Sequence, residues 1–308
     1  MSEVVPYRAG MAAEVARCYQ EMVAPAPHCE PVGGEWFADL RKLRRQPLAE
    51  EALLVALTRA AATGFVHVAV AAPATEEWHV KGEPGVIRFL AYPRGERAVG
   101  AALVAAAEDW LRARDRSAIV AGHCSFLYPF YHLPFAHISE RIAHLPPLFG
   151  LAGYGVDASE LFYAWEDFQA PEVSAPELAV EITGGWQEVV ASFGPGVALR
   201  AMHHGRCIAE CDIVRLGWGG WRPALSDWCF CTNLHIAEQW QGRGLGKCLL
   251  TQGLREARRR GLCHAAISTD WDNYRAQVFY TNFGYRFLDR TFAFRKMLKE
   301  APSPGCQR

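Results

Sequence analysis

The chain has 308 residues, 51% apolar and 21% charged, with a formal net charge of −1. At roughly 100–200 residues per domain this fits two globular domains with separate cores, and the balanced charge gives no electrostatic ground for nucleic acid or an anionic membrane. Ten scattered cysteines fit reduced thiols of a cytoplasmic protein better than a disulfide frame, and "MSEVVPYRAG" lacks the charged and apolar regions of a secretory signal.

In chain order, "VVPYR" reads as a strand and "AGMAAEVARCYQEMV" as a helix. "EALLVALT" and "GFVHVAV", joined by "RAAAT", form an antiparallel pair. The apolar run "GFVHVAVAAPA" is too short to span a bilayer. "GVIRFLAYP" is a further strand, "VGAALVAAAEDWLRARDR" a strong helix, and "SAIVAG" and "SELFYAWEDF" complete the first half. A polar, proline-bearing stretch at 166–177, "EDFQAPEVSAPE", reads as a linker. The expected domains are therefore 1–168 and 169–308.

The second half repeats this order. "GVALRAM" and "RCIAECDIVRL" flank the turn "HHG", and "DWCFCTNLHI" is a strand. "LGKCLLTQGLREARRRG" is a helix closed by Gly261, with arginines in its last turn. "CHAAIST" is a strand, "NYRAQVFYTNF" a short helix, and "YRFLDRTFAFRKML" the closing strands. The halves superimpose as sequences, Gly100 falling on Gly246 and Gly153 on Gly284. The first half carries roughly 15 extra residues between these landmarks, within "FLYPFYHLPFAHISERIAH".

"QGRGLGKCLL" crowds three glycines into a helix start, although glycine costs a helix about 1 kcal/mol relative to alanine. Free amides at such a start, with the helix dipole behind them, suit a phosphate or pyrophosphate. The alternative is a tight turn with close helix–sheet packing. A dinucleotide fold needs G-x-G-x-x-G and an acid about 20 residues on; here the spacing is G-x-G-x-G, and "CHAAIST" holds no acid. A Walker loop is absent from this window.

Two motifs in register carry a resemblance. "QGRGLG" is similar to the Q/R-x-x-G-x-G/A signature of the GNAT acetyltransferase superfamily, and "NYRAQVFYTNFGY" to its N-x-x-A-x-x-ϕ-Y-x-x-x-G-aromatic signature. The resemblance covers about Arg206 to Met297, with the first half as a worn copy. It implies an α+β (mixed α/β) protein of two tandem GNAT-like acyl-CoA N-acyltransferase folds. Each is a central mixed, mostly antiparallel sheet flanked by helices, splayed between its fourth and fifth strands where acetyl-CoA lies. The chain would transfer an acetyl group from acetyl-CoA to a primary amine of a small molecule or peptide, with no metal, as a monomer or homodimer.

By the same resemblance, the amides of Gly242, Arg243, Gly244, Leu245, Gly246 and Lys247 would hold the CoA pyrophosphate, supported by the side chains of Gln241 and Arg243. The backbone of Leu234, His235 and Ile236 would pair with the pantetheine arm like an added strand, one amide polarising the thioester carbonyl. Asn273 would touch the cofactor near the splay, Ala276 would leave it room, and Tyr280 would face the sulfur. Asn273 and Tyr280 are two helical turns apart and share a face; Asn273 also suits an N-cap. Full proton transfer from a tyrosine to a thiolate costs roughly 2 kcal/mol in water, so Tyr280 would act by donating a hydrogen bond as charge develops. A core tyrosine on an amphipathic helix is the other reading.

The attacking amine also needs a proton acceptor. The family's usual fourth-strand positions are Phe230 and Thr232 here. Glu210, Asp212 and His235 are the remaining candidates, and Glu210 is the chosen one. In the first half, Gly95, Glu96 and Ala98 replace Gln241, Gly242 and Gly244, Phe149 replaces Tyr280, and Ile142 replaces Asn273. That half is therefore expected to be non-catalytic and to shape the acceptor site or a dimer, with its insertion covering the acceptor opening. Cys207, Cys211, Cys229 and Cys231 are spaced as packed thiols rather than zinc ligands, and His123, His132, His137 and His144 as loop polar residues. A non-enzymatic acyl-CoA-binding protein and a transferase for another acyl-CoA or acceptor are the alternatives.

Overall fold

The structure, a computed structural model, describes residues 3–44, 47–72, 84–169, 172, 176, 178–190, 193–218 and 222–298. They fall into two compact units, Met1–Glu160 with Asp289–Arg308, and Leu161–Leu288.

The first unit opens with β1 (Glu3–Pro6), α1 (Ala12–Val23) and α2 (Gly34–Phe37). β2 (Leu48–Thr58) and β3 (Ala61–Ala71) form the expected hairpin, its turn made by Arg59 and Ala60 at φ 52° and 65°. That left-handed pair matches the strand twist, as in type I′ turns. β4 (Gly85–Ala91), buried on both faces, pairs antiparallel with β3. It pairs in parallel with β5 (Ala118–Ala121), the crossover being α3 (Arg97–Arg112). β6 (Ile138–Ser139), α4 (Leu145–Leu151) and β7 (Gly155–Trp165) follow.

The aromatic insertion is built into the core of this unit. Leu127, Tyr128, Phe130 and Tyr131 are buried in this unit's core, where Tyr128 and Phe130 pack with Tyr19 and Phe37. A buried polar network anchors it. Arg88 Nε donates to Phe126 O at 2.8 Å and Nη1 to Glu51 Oε2 at 3.1 Å; His67 bridges Tyr128 Oη at 3.0 Å and Glu51 Oε2 at 3.1 Å. Burial and the Arg88 cation push His67 down to about 4, while its hydrogen bonds and cationic neighbours hold Glu51 at about 2 against burial.

In the second unit β8 (Glu181–Val190), β9 (Gly194–His203), β10 (Arg206–Arg215) and β11 (Trp228–Ile236) form an antiparallel series. The β9–β10 turn has His204 at φ 46° and Gly205 at φ 75°. α5 (Leu245–Arg259) crosses to β12 (His264–Asp270), parallel to β11, and α6 (Tyr274–Phe283) leads to β13 (Arg286–Met297). Among the described residues, the segment between 178 and β9 contains a strand and no helix. Val197, Leu199, Cys211 and Ile213 pack with Leu249, Leu250 and Leu254 of α5 in this unit's core.

Three boundaries differ from expectation. The closing strands are one strand, since "RFLDRTFAFRKM" holds no glycine or proline to break it, and its Thr291–Met297 part pairs with β5 and β6 of the first unit. The units part at 160/161 rather than 168/169. The start of the expected linker is packed: Phe168 is fully buried, its amide bonds Cys263 O at 3.0 Å, and the Asp167 amide bonds His264 Nδ1 at 3.0 Å. Positions 170, 171, 173–175 and 177 of that linker lie outside the described residues.

Candidate active site

β11 and β12 pair in parallel from Trp228↔His264 to Cys231↔Ile267, yet β11 runs on to Ile236. At that point the β10–β11 register shifts, Asp212 facing Asn233 and Ile213 facing Cys231, so Thr232 is an extra residue. Such a bulge re-aims the local backbone. Thr232 Oγ1 donates to Asp212 O at 3.2 Å and closes it. Beyond the bulge, Leu234 and Ile236 pair with β10 on one edge, and the other edge faces a cavity of about 510 Å³.

The glycine loop forms the cavity's next wall, and its three glycines have different causes. Gly242 and Gly244 both have φ 79°, a left-handed conformation that costs other residues roughly 1–2 kcal/mol. A methyl on Gly242 would meet nothing within 4 Å, and one on Gly244 only Pro176 Cα at 3.8 Å. Gly246 is different: its added Cβ would sit 3.1 Å from Ile236 Cδ1, so this glycine lets the helix approach the strand. The helical ladder begins with Cys248 N to Gly244 O at 2.9 Å. The amides of Leu245, Gly246 and Lys247 therefore have no helical acceptor.

α6 closes the site. Asn273 Oδ1 accepts from the Ala276 amide at 3.2 Å as an N-cap, and Gly284, at φ 126°, ends the helix. Tyr280 is buried against Tyr163, Phe279 and Tyr285 and lines the cavity. Gln241 ties the walls together: its Nε2 donates to Ile236 O at 3.0 Å, and its Oε1 accepts from Arg275 Nη1.

Leu234, His235, Ile236, Gln241, Gly242, Gly244, Leu245, Gly246, Lys247, Asn273, Ala276 and Tyr280 thus line one cavity. Arg243 does not line it; its guanidinium lies over the Trp240 ring at 5.2 Å. Glu210 also stands outside, opposite His235 across the strand pair, its carboxylate held by Arg200 Nε at 3.3 Å. Asp212 is held more tightly, by Arg200 Nη1 at 2.7 Å. Sequence reasoning missed Trp240, Arg275, Val278 and Phe279 in the lining. Val278 lies two residues before Tyr280 and Phe279 one before it, so only the backbone of a short helix shows that they reach the same space.

Of the four cysteines weighed for zinc, Cys211, Cys229 and Cys231 are buried and Cys207 is exposed; burial holds the Cys229 thiol well above its ordinary pKa. In the first unit, His123, Cys124 and His137 bring their ligand atoms within 4.8 Å of one another. Both imidazoles, however, accept a backbone amide at Nδ1, from Ser125 at 3.3 Å and from Cys124 at 3.0 Å. That places the neutral-ring proton on Nε2, where a metal would need a lone pair.

In the first unit, α3 begins at Arg97, so Arg97 and Ala98 are already helical where Arg243 and Gly244 form the loop. The glycine loop has been absorbed into the helix. A Cβ on Gly100 would meet the Tyr92 ring at 2.8 Å and Leu148 at 2.9 Å, so Tyr92 fills the place beside the helix. Phe149 is a core residue stacked on Phe294 at 5.1 Å.

Residues 202–287 match the family model described as "Acetyltransferase (GNAT) domain". Mycothiol acetyltransferase of Nocardiopsis dassonvillei is 35% identical over 70 residues, 23% of this chain and 21% of that protein. The chain thus matches about a fifth of the length of this curated relative. Among solved structures, a GCN5-related glucosamine N-acetyltransferase region of a fungal multi-domain GH3 β-N-acetylglucosaminidase has TM-score 0.66 at 14% identity, covering 96% of this chain and 38% of that one. A GCN5-related N-acetyltransferase from Sphaerobacter thermophilus has 0.63 at 16%, covering 97% and 96%. A tandem GNAT protein from the clavulanic acid biosynthesis pathway has 0.60 at 15%, covering 98% and 100%. These likenesses establish the fold, mixed α/β and of the tandem GNAT kind. The match to the GNAT acetyltransferase domain at 202–287 contains both the glycine loop and the α6 motif.

Proposed function

We propose that the second unit transfers an acetyl group from acetyl-CoA to a primary amine by direct attack. One observation carries the reading: two left-handed glycines, an open strand edge and Tyr280 line a single cavity. The donor set fits the cofactor. The helix-start amides and the cations Lys247 and Arg275 suit a pyrophosphate, and the space beside Gly242 admits its oxygens. The name of the mycothiol acetyltransferase supports acetyl transfer, and that of the glucosamine N-acetyltransferase region supports an amine acceptor.

When bound, acetyl-CoA supplies the activated acyl group. The amine nitrogen forms the new C–N bond as the C–S bond breaks. A backbone amide beyond the Thr232 bulge stabilises the negative charge growing on the carbonyl oxygen. Tyr280 donates a hydrogen bond to the departing sulfur. The proton lost by the amine goes to His235, the cavity-lining imidazole, or to water. Glu210 faces His235 across the strand pair, but its carboxylate is held by Arg200 outside the cavity and does not reach the amine. The first unit, without a glycine loop and with Phe149 in the tyrosine's place, takes no part in the chemistry.

Calorimetry with acetyl-CoA, followed by thiol release across a panel of amines, tests the reading. Binding with amine-dependent release is the expected result. Binding with no release on any amine would favour a non-enzymatic acyl-CoA-binding role.

A further inference from the structure

The first unit has its own cavity, about 370 Å³, within the range of small-ligand sites. It is walled by Cys18 and Met22 of α1, by Tyr92 after β4, and by His144 before α4. Tyr92 and His144 lock each other. Tyr92 Oη donates to His144 O at 2.8 Å, His144 Nε2 donates to Tyr92 O at 3.1 Å, and the rings meet edge to face at 4.8 Å. This wall is therefore set before any ligand arrives. Burial lowers the His144 pKa from its ordinary value and so favours the neutral ring, with its proton on the Nε2 that donates to Tyr92 O. Burial raises the Cys18 thiol to about 11, so the sulfur is protonated, and it donates to Ala62 O at 3.7 Å. The interior carries no fixed charge.

The rim does. Both oxygens of Glu21 accept from Arg17 Nη1, at 2.9 and 3.1 Å, which neutralises the rim carboxylate. Arg94 and Arg141 are both exposed there. Asp289 lies 3.9 Å from Arg141 Nε and offsets part of its charge while also accepting from His132 Nε2 at 3.0 Å and the Arg290 amide at 2.9 Å, so Arg94 and the remainder of the Arg141 charge set the sign of the mouth. The mouth is thus cationic over a neutral, largely apolar floor. Guanidinium groups match carboxylates and phosphates in shape and charge, and the floor removes apolar surface from water.

We propose that this cavity binds a small ligand with an anionic head, a carboxylate or phosphomonoester, on a short apolar body. Acetyl-CoA is not that ligand, because α3 has absorbed the loop that would hold its pyrophosphate. The site is independent of the acetyl-transfer cavity of the second unit.

Calorimetry on the full chain tests this with hexanoate and hexyl phosphate as probes and hexylamine and hexanol as controls. At least one anionic probe should bind below about 1 mM while neither control does, and comparing the two distinguishes carboxylate from phosphate. Arg94→Ala and Arg141→Ala should each weaken that binding roughly tenfold, the scale of a charge-assisted hydrogen bond, with acetyl-CoA affinity unchanged. The proposal is overturned if hexylamine binds as well as the anions or if neither anion binds. Retained affinity in both arginine variants, or displacement of the probe by acetyl-CoA, would overturn it equally. None of these outcomes depends on acetyl transfer.

Discussion

Replacing Gly244 by alanine and by glutamate separates backbone strain from charge at the helix start. Gly244 has φ 79°, and a Cβ there would meet only Pro176 Cα at 3.8 Å. Alanine therefore clashes with nothing and bears only the left-handed penalty, about 1–2 kcal/mol. That predicts a modest fall in Tm and acetyl-CoA binding weakened by up to roughly tenfold. Glutamate adds a carboxylate beside the amides that take the pyrophosphate. At about 5 Å and an effective dielectric near 20, each phosphate charge is repelled by roughly 3 kcal/mol, enough for a further hundredfold loss. Calorimetric titration with acetyl-CoA at fixed salt, paired with thermal unfolding, reads both effects. A Gly244→Glu protein that unfolds like Gly244→Ala and binds acetyl-CoA as tightly as the native chain would refute the cradle.

Tyr280→Phe should lower kcat by about 10²-fold, the lower range for general acid catalysis, with acetyl-CoA affinity nearly unchanged; an unaltered kcat removes Tyr280 from the acid role. Titration should give one acetyl-CoA per chain, whereas two would show that the first unit's helix start still binds phosphate. The pH dependence of stability follows from two depressed values. His67 falls from 6.5 to about 4 in the folded chain, so the unfolded chain binds the extra proton and stability declines as pH drops through that window. Glu51, lowered from 4.5 to about 2, extends the decline below pH 4.5. Thermal unfolding from pH 7 to 4 should show Tm falling, and His67→Gln should flatten the slope; an unchanged slope would contradict the assignment.

The second unit's site was legible because its demands are local. A positive φ at 242 and 244 requires glycine, the cap at 273 requires a short polar side chain, and the spacing from Asn273 to Tyr280 fixes a shared face. Residues that reach the cavity through tertiary placement, Trp240 and Arg275 among them, carry no such local mark. Glu210 illustrates the limit of strand reasoning. Alternation places it across from His235, but a tertiary contact, Arg200, holds it outside the cavity. β13 reads as an ordinary strand, because pairing with β5 more than 170 residues earlier leaves no trace in its own residues. The aromatic insertion reads in sequence as a cover for the acceptor opening, and its burial in the first unit's core follows from partners on α1, β3 and β4 that no local pattern reveals.

A crystal structure of the chain with acetyl-CoA is the most direct test of the central claim. The account predicts the pyrophosphate on the amides of residues 242–247, the pantetheine arm along Leu234–Ile236, and the sulfur within hydrogen-bonding distance of Tyr280 Oη. Phosphates bound away from the glycine loop, or a sulfur remote from Tyr280, would contradict it.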